Sequence, residues 1–582
     1  MSIEQKNSLV NASKNKFLVF IFVSFFALQN LASIIMFKLN FPYSVDYSDI
    51  FVPVQNFIVN GENAFFINKN IHVILIPKLI ALPNFYLNSF DVVNISYFIW
   101  ILISLTVFFL YLIIKQTDKK LIWVIIPISI FLYNPLTTHN SYALAMLSWF
   151  IPMFGMTLIA YLLNKKIINF KNFSSSIVFA IFSTFSILLG VVTWIIGFFM
   201  LLKFVKDKNH KSPIWISLWI ISTIIIGIAY ISLVSNHDPN IQFENLFSFT
   251  TFSFVTNFLA SSFRLKYQLL IISVGTFSIV LAGIFIYYLR VKHSLQNYLP
   301  WITFVVTTFF AAVITALGRM NLDGHLGNEP FYSTISQFFQ IGLVVLCGKI
   351  ILDFRTKPKN LKTNLVIYLL IALIISQMIL LIPSYYSGWE RAEYYFEQRM
   401  IDLNCFSLIP DQKCIDVPCN NCIITKSEST LSSINYLIEN NHSIFKQNEF
   451  EKINSNMLER FHSYDILKNA PIIGGIININ QKIVSESDNT FEIENEFLQV
   501  NGWIKKSILD DVQKIYLKID DSLLVEYDDF QISNDSDTDP LITNWTMFIM
   551  SGYISEGCNS MNILVLKDSQ IISIDDEIIL CK

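Results

Sequence analysis

The residues with the clearest potential for chemistry lie in the stretch 38–91, directly after the first long apolar run. Asp46 and Asp49 stand three residues apart between two prolines, a setting that favours an irregular loop over a continuing helix. A carboxylate in such a loop could act as a general base. Farther along the stretch, His72 and Lys78 could bind an anion. We therefore treat this stretch as a candidate active site, with a polar connecting loop as the alternative.

The run that precedes this loop, residues 17–37, holds about twenty nearly unbroken apolar residues. At 1.5 Å rise per residue, such a run is long enough to cross a bilayer core of roughly 30 Å. It is longer than the apolar region of a usual signal peptide and has no small-residue cleavage site, which predicts an uncleaved first span. The loop thus begins where the chain leaves the membrane.

The composition is that of a protein with many spans. Of 582 residues, 53% are hydrophobic and only 15% are charged, which is more apolar than a soluble protein of this size requires. We predict an α-helical polytopic membrane domain with about eleven spans. Their positions are 17–37, 92–114, 121–136, 143–163, 175–189, 190–204, 213–234, 268–289, 298–317, 332–351 and 364–384. The fifth and sixth come from one run of about thirty residues, interpreted as a hairpin turning near Gly190.

Charge divides the chain near Tyr385. Residues 1–385 contain 26 Lys and Arg against 12 Asp and Glu, whereas residues 386–582 contain 15 against 32. The first part is therefore the membrane domain, with the large loop 38–91, and the second is an acidic soluble domain. Because that domain has no basic patch, nucleic acid is not expected as a partner. The apolar composition of the first part makes the lipid bilayer its expected surrounding.

Basic residues also predict the orientation, since they are retained on the cytoplasmic side. With the N-terminus in the cytoplasm, cytoplasmic segments hold 20 of the 26 basic residues of the membrane domain. The loops 38–91, 235–267 and 318–331 and everything after Tyr385 then lie outside. This predicts a multi-pass protein of the cell membrane with an extracytoplasmic C-terminal domain.

The soluble domain contains six of the seven cysteines, and Cys347 lies in a span. An even number of cysteines in an oxidising compartment favours disulfides, whose connectivity stays open. The alternative is a zinc site built from Cys405, Cys414, Cys419 and Cys422.

This soluble domain has two parts. Residues 386–485 have a mixed pattern, and residues 486–582 alternate apolar and polar residues between turns, which predicts a small β-sandwich. Such a domain could bind glycan or orient a substrate, or it could be an accessory domain without chemistry.

Six basic residues of the membrane domain lie outside the cytoplasmic segments: Lys38, Lys69, Lys78, Arg264, Lys266 and Arg319. Lys and Arg are usually enriched in cytoplasmic segments, so the location of these six residues requires an explanation. Each either snorkels from the end of a span or binds a phosphate. Arg319 opens a loop that also contains Asp323, His325 and Glu329. Lys78 and Arg319 are the strongest phosphate candidates.

Three stretches resemble the GT-C membrane glycosyltransferases. The first is the long exterior loop after the first span, with its carboxylates, the segment Asn70-Ile71-His72 and Lys78. The second is SILLGVVTWIIGFFMLLK, similar to a Gly-x-x-x-Trp hairpin of bacterial and archaeal members. The third is ALGRMNLDGHLGNEPFYSTISQFFQIGL, which resembles a Gly-Arg loop leading into a Tyr-containing span. The chain differs in having Lys78 where Arg is commoner, and Pro330-Phe331-Tyr332 where Ser-Arg-Tyr is frequent.

The resemblance implies transfer of a hexosyl or pentosyl group, with inversion, from a polyprenyl-phosphate carrier to a cell-surface glycan or other acceptor on the exterior face. Asp46 is the first choice for the carboxylate that deprotonates the acceptor and Asp49 the second. His72, Lys78 and Arg319 would bind the donor phosphate. No Gly-rich nucleotide loop is evident, which fits a lipid-linked donor. No cofactor is assigned with certainty, and a divalent metal between Asp46 and Asp49 stays open.

Two other classes compete with this interpretation. A transporter or polymerase of lipid-linked glycans would also have many spans, but it would carry ionisable residues in mid-membrane, and the spans here contain almost none. A receptor or adhesin would use the tail but would leave the eleven spans and the loop charges without a role.

Overall fold

A computed structural model describes residues 3–40, 50–60, 73–88, 90–136, 144–165, 167–206, 212–234, 248–319, 327–356, 361–408 and 436–437, together with the strands of the C-terminal part. The chain forms two compact units. The first, which we call the helical unit, comprises Met1–Lys38, Asp49–Leu87 and Val92–Tyr394. The second comprises Leu39–Ser48, Asn88–Asp91 and Tyr395–Lys582.

Long apolar runs become helices because a helix satisfies its own backbone hydrogen bonds where no water is present. The described α-helices are α1 Ile3–Phe37, α2 Val52–Asn60, α3 Leu75–Asn88, α4 Val92–Thr117, α5 Ile125–Leu132, α6 Leu147–Leu163, α7 Phe170–Thr184, α8 Val192–Lys206, α9 Ser212–Val234, α10 Phe249–Ala260, α11 Gln268–Val291, α12 Leu299–Gly318, α13 Pro330–Arg355, α14 Leu361–Leu380 and α15 Ile382–Leu408. Short 3₁₀ turns lead into several of them, among them Lys119–Val124, Leu188–Val191 and Leu295–Tyr298, and Ser261–Phe263 follows α10.

Among the residues that the structure describes, seven helical segments are long and apolar enough to cross a membrane, which agrees with the predicted polytopic membrane domain. They are Phe17–Phe37, Val92–Thr117, Pro213–Val234, Gln268–Val291, Leu295–Gly318, Pro330–Arg355 and Leu361–Tyr394. The other four predicted spans are also helical but shorter, and they fall between the second and third of these seven. Both seven and eleven are odd numbers. The predicted opposite location of the two termini therefore holds both if all four short helices cross the membrane and if none of them does.

The apolar run 175–204 is broken, as predicted, although the break comes earlier than Gly190. α7 ends at Thr184, and the chain resumes helical structure at Leu188. Gly190 instead packs against the end of α7, where an added Cβ would lie 1.8 Å from the Ser183 carbonyl oxygen. A glycine is thus required for this close approach.

α13 is the central helix of the helical unit and is buried over most of its length. It packs against α5, α6, α10, α11, α12 and α14. Its Gln340 donates to the Leu259 carbonyl oxygen at 3.0 Å and accepts from Gln377 of α14 at 3.3 Å. Ser336 lies 2.8 Å from the hydroxyl oxygens of both Ser261 and Ser262. Such uncharged hydrogen bonds between helices help to hold a bundle together inside a bilayer.

Hydrogen bonds connect several helix termini at one end of the helical unit, which we call the basic end. Tyr298 donates to Asp118 at 3.5 Å, and Lys349 forms an ion pair with Asp353. Lys203, near the end of α8, donates to the Asn164 side chain at 3.4 Å. The chain segments that meet here are ones that the sequence predicted to be cytoplasmic. Their location at the same end agrees with that prediction, and the assignment of this end to the cytoplasm stays a prediction.

The C-terminal part is described as twelve strands: β1 Asp465–Leu467, β2 Gly474–Ile479, β3 Lys482–Ile483, β4 Thr490–Glu492, β5 Phe497–Lys505, β6 Val512–Ile519, β7 Leu523–Tyr527, β8 Gln531–Ser533, β9 Ile542–Met550, β10 Cys558–Lys567, β11 Gln570–Ser573 and β12 Ile578–Cys581. One sheet contains β1, β4, β6, β7, β10, β11 and β12; the other contains β2, β3, β5, β8 and β9. In the first sheet Cys558 is opposite Cys581. The β-sandwich stays a prediction.

Candidate functional site

Arg319 lies at the end of the helical unit opposite the basic end. It caps the C-terminus of α12, a helix of twenty residues and about 30 Å whose first turn is at the basic end. The Arg319 guanidinium carbon is 5.6 Å from the ring centroids of both Phe331 and Tyr332, in the first turn of α13. Cation–π attraction thus holds the guanidinium over two aromatic rings.

Further aromatic side chains surround Tyr332. Its ring centroid is 4.9 Å from that of Phe258, 5.7 Å from Trp149 and 5.9 Å from Phe254. We call Trp149, Phe254, Phe258, Phe331 and Tyr332 the aromatic cluster, and the end of the helical unit that contains it the aromatic end. The Tyr332 hydroxyl is buried and has no hydrogen-bond partner within the described part of the chain. It can therefore donate to, or accept from, a polar group that enters the cluster.

Residues in α10 and just after it contact the segment that precedes α13. Arg264 has a left-handed backbone conformation, with φ of 46°, and its Nη1 donates to the Asn328 carbonyl oxygen at 2.6 Å. At Gly327, an added Cβ would lie 2.6 Å from the Phe254 carbonyl oxygen. A hydrogen bond and a close backbone contact thus fix the chain just before Phe331. Snorkelling, the alternative considered for Arg264, does not describe this inward contact.

Arg319 forms no ion pair with any residue that the structure describes, although the Glu329 carboxylate lies close enough to act electrostatically on the neighbouring Tyr332 hydroxyl. The one ion pair in the described part of the chain joins Lys349 and Asp353 at the basic end. Arg319 is half-buried among rings, a surrounding of low dielectric in which a cation attracts an anion more strongly than it would in water. This arrangement can bind a phosphate at the rim of the aromatic cluster.

Lys78 lies in α3, and the structure places it inside rather than in water: its side chain is only 2% exposed. Just before it, the Ile76 amide donates to the Phe185 carbonyl oxygen at 3.0 Å, and the Val73 amide donates to the Tyr230 hydroxyl at 3.1 Å. These contacts locate the start of α3 beyond α7 and near the end of α9, away from the basic end. Lys38 and Lys266, in contrast, are exposed, as expected for snorkelling side chains.

The other predicted site residues, Asp46, Asp49 and His72, lie outside the described residues, as do Asp323 and His325. Their proposed roles therefore stay predictions. Among the described residues, no group of three or more His, Cys, Asp and Glu side chains could hold a metal ion.

Sequence reasoning missed Trp149, Phe254 and Phe258, which line the site around Tyr332. Trp149 and Tyr332 are 183 positions apart, and no local pattern connects them. One available signal was the position of Trp149 near the start of the predicted span 143–163, because tryptophan is enriched at membrane interfaces.

Comparison of the chain with protein-family models, with curated proteins and with solved structures finds no match in any of the three.

Proposed function

We propose that the protein is a membrane glycosyltransferase that moves a sugar from a polyprenyl-phosphate carrier to a glycan or other acceptor on the extracytoplasmic face. The proposal rests on the position of Arg319 over the rings of Phe331 and Tyr332. In the described part of the chain, this cation forms no ion pair. A lipid-linked donor presents its phosphate at the membrane surface, and Arg319 lies at the end of a membrane-spanning helix.

Donor binding in this proposal uses both a charge and an aromatic surface. Arg319 stabilises the phosphate that leaves when the glycosidic bond breaks. Trp149 and Phe331, whose ring centroids are 5.3 Å apart, offer apolar faces to the sugar or to the first isoprene unit. The Tyr332 hydroxyl supplies a hydrogen bond to a phosphate or sugar oxygen. Lys78 and His72 supply further positive charge from the first exterior loop.

Acceptor activation is assigned to that same loop. Asp46 accepts the proton of the acceptor hydroxyl as this oxygen attacks the anomeric carbon, and Asp49 is the second choice for the base. The electrons of the broken glycosidic bond remain on the carrier phosphate. One direct displacement of this kind inverts the anomeric configuration.

A transporter or polymerase of lipid-linked glycans is the alternative. It is favoured by the stripe of buried polar side chains that α13 carries from Ser333 to Gln340. In the described spans, however, charged side chains lie within about two turns of a helix end, as Lys349 and Asp353 do in α13. A transport path through mid-membrane is expected to contain ionisable groups there. The enzyme is therefore the better-supported class.

A transfer assay tests the proposal. Purified protein in lipid nanodiscs is given a panel of radiolabelled polyprenyl-phosphate hexoses and pentoses, together with glycan extracted from the native cell surface. We expect label to appear in glycan with one donor, and Asp46→Asn to reduce the rate by on the order of 10² to 10⁴ because the amide cannot accept the proton. Asp49→Asn is measured beside it.

The matched control is Asp91→Asn, which changes another carboxylate of the same loop and should leave the rate nearly unchanged. Absence of transfer from every donor would overturn the proposed class. If transfer occurs but both Asp46→Asn and Asp49→Asn retain the parental rate, the base is elsewhere.

A further inference from the structure

Both faces of α3 are largely apolar, and its one lysine lies on the buried face. The residues Pro77, Lys78, Ala81, Asn84 and Phe85 are buried, and their spacing places them on one face of the helix. A lysine and an asparagine thus face the protein.

The opposite face of α3 is largely apolar, and Asn88 at the end of the helix is exposed as well. Its exposed apolar side chains are Leu79 at 45%, Tyr86 at 64% and Leu87 at 80%, with Pro83 also exposed. A helix on a water-exposed surface places its polar residues outward and its apolar residues inward. The outer face of α3 is instead largely apolar, as expected of a helix whose outer face contacts lipid.

Contacts at the start of α3 fix its depth. The Val73 amide is bonded to the Tyr230 hydroxyl, and Tyr230 lies four residues, or about 6 Å, before the end of α9. α9 is a candidate span with only 11% of its apolar window buried. Its exposed Ile228 and Ile231 therefore belong to the lipid-facing surface of the helical unit. The apolar face of α3 begins beside that surface and near the level of the last turn of α9.

We propose that Leu79, Pro83, Tyr86 and Leu87 form a lipid-binding face, and that α3 lies in the membrane interface with this face toward the acyl chains. The tyrosine suits this position, since its ring is apolar and its hydroxyl can reach the headgroups. The inference does not depend on the proposed enzymatic function. It nevertheless explains why Lys78 faces inward: the same helix that binds lipid on one side presents a cation to the protein on the other.

Photocrosslinking tests the proposal in the full-length protein. Benzoylphenylalanine is introduced singly at Tyr86 and Leu87, cells are irradiated, and the intact mass of the purified monodisperse protein is measured. We expect an added mass equal to one phospholipid at both positions, since exposed side chains there should contact acyl chains.

Two matched positions serve as controls. Ile225, 58% exposed in the middle of α9, should give a phospholipid adduct, and Lys292, exposed in the turn after α11, should give none. Adducts to a second copy or to another protein at Tyr86 and Leu87 would overturn the proposal. So would the absence of any adduct at both positions while Ile225 gives one.

Discussion

The two ends of the helical unit treat positive charge differently. At the basic end, Lys349 is paired with the Asp353 carboxylate, and its ammonium lies 5.5 Å from the Tyr298 ring centroid. At the aromatic end, Arg319 contacts two rings and has no carboxylate partner among the described residues. Lys349 thus has a structural role, whereas the charge of Arg319 can bind an anion from outside the protein.

Arg264 shows that position at the aromatic end is not sufficient for such a role. Its guanidinium is directed at a backbone carbonyl oxygen and holds the chain before α13. Both arginines lie outside the predicted cytoplasmic segments, so this location does not show what either one does. The groups that each guanidinium contacts do.

The largest expected effect concerns the compartments that the two ends face. A reporter that is active only outside the cytoplasm, fused after Lys582, should be active, and the same reporter fused near Lys208 should be inactive. The reason is that 20 of 26 basic residues lie in segments assigned to one side. A cytoplasmic tail would mean that an odd number of the predicted spans is wrong, and the site assigned to the exterior face would then be wrong as well.

Disulfide formation would sharpen the same assignment. Because Cys558 and Cys581 are opposite each other on neighbouring antiparallel strands, their Cα atoms are close enough for a disulfide. We expect non-reducing mass spectrometry of the exported protein to find the peptides of these two residues joined. Two free thiols in protein collected without reductant would contradict this pairing, and stoichiometric zinc would favour the metal-site alternative.

Substitution at Arg319 should affect transfer more than it affects folding. We expect Arg319→Ala to lower the transfer rate by about 10², because the leaving phosphate loses its cation. Arg319→Lys should restore part of the rate, since it keeps the charge but lacks the planar guanidinium. Arg264→Lys is the comparison at the same end. Parental transfer by a well-inserted Arg319→Ala variant would remove this residue from the site.

The smallest effect is expected at Lys349. Its ion pair with Asp353 is partly exposed, so Lys349→Ala should lower the free energy of unfolding by about 1 kcal/mol or less. Transfer should be unchanged. Thermal unfolding in detergent and the transfer assay measure the two quantities. If Lys349→Ala lost as much transfer as Arg319→Ala, the cations at the two ends would not differ in role as proposed.

Much of the helical unit could be predicted from sequence because hydropathy acts locally. Every predicted span coincides with helical structure, and the break within 175–204 follows from a run too long for one crossing. The number of complete crossings was harder to predict. Apolar residues extend past the helix ends, so the run counted as 175–189 contains a helix that stops at Thr184.

The candidate site was less predictable, since its contacts join distant parts of the chain. The predicted importance of Arg319 rested on its rarity as an exterior cation, but nothing local indicated that Phe331 and Tyr332 would lie under it. The burial of Lys78 was also not predictable from hydropathy, which places a lysine outward. Only the contacts of α3 with Phe185 and Tyr230 show why this helix turns its charged face inward.

The shortness of α7 has a consequence for the surrounding lipid. Its fifteen residues span about 22 Å, roughly 8 Å less than a typical hydrocarbon core, and its exposed Val178 and Phe182 face outward. α7 is not among the seven candidate spans; if it crosses the bilayer, a mismatch of this size would be accommodated by local thinning, by snorkelling side chains or by association with other helices. Phe185, at the end of α7, is the residue whose carbonyl oxygen binds the start of α3. Local thinning at α7 would therefore bring lipid headgroups closer to the start of α3.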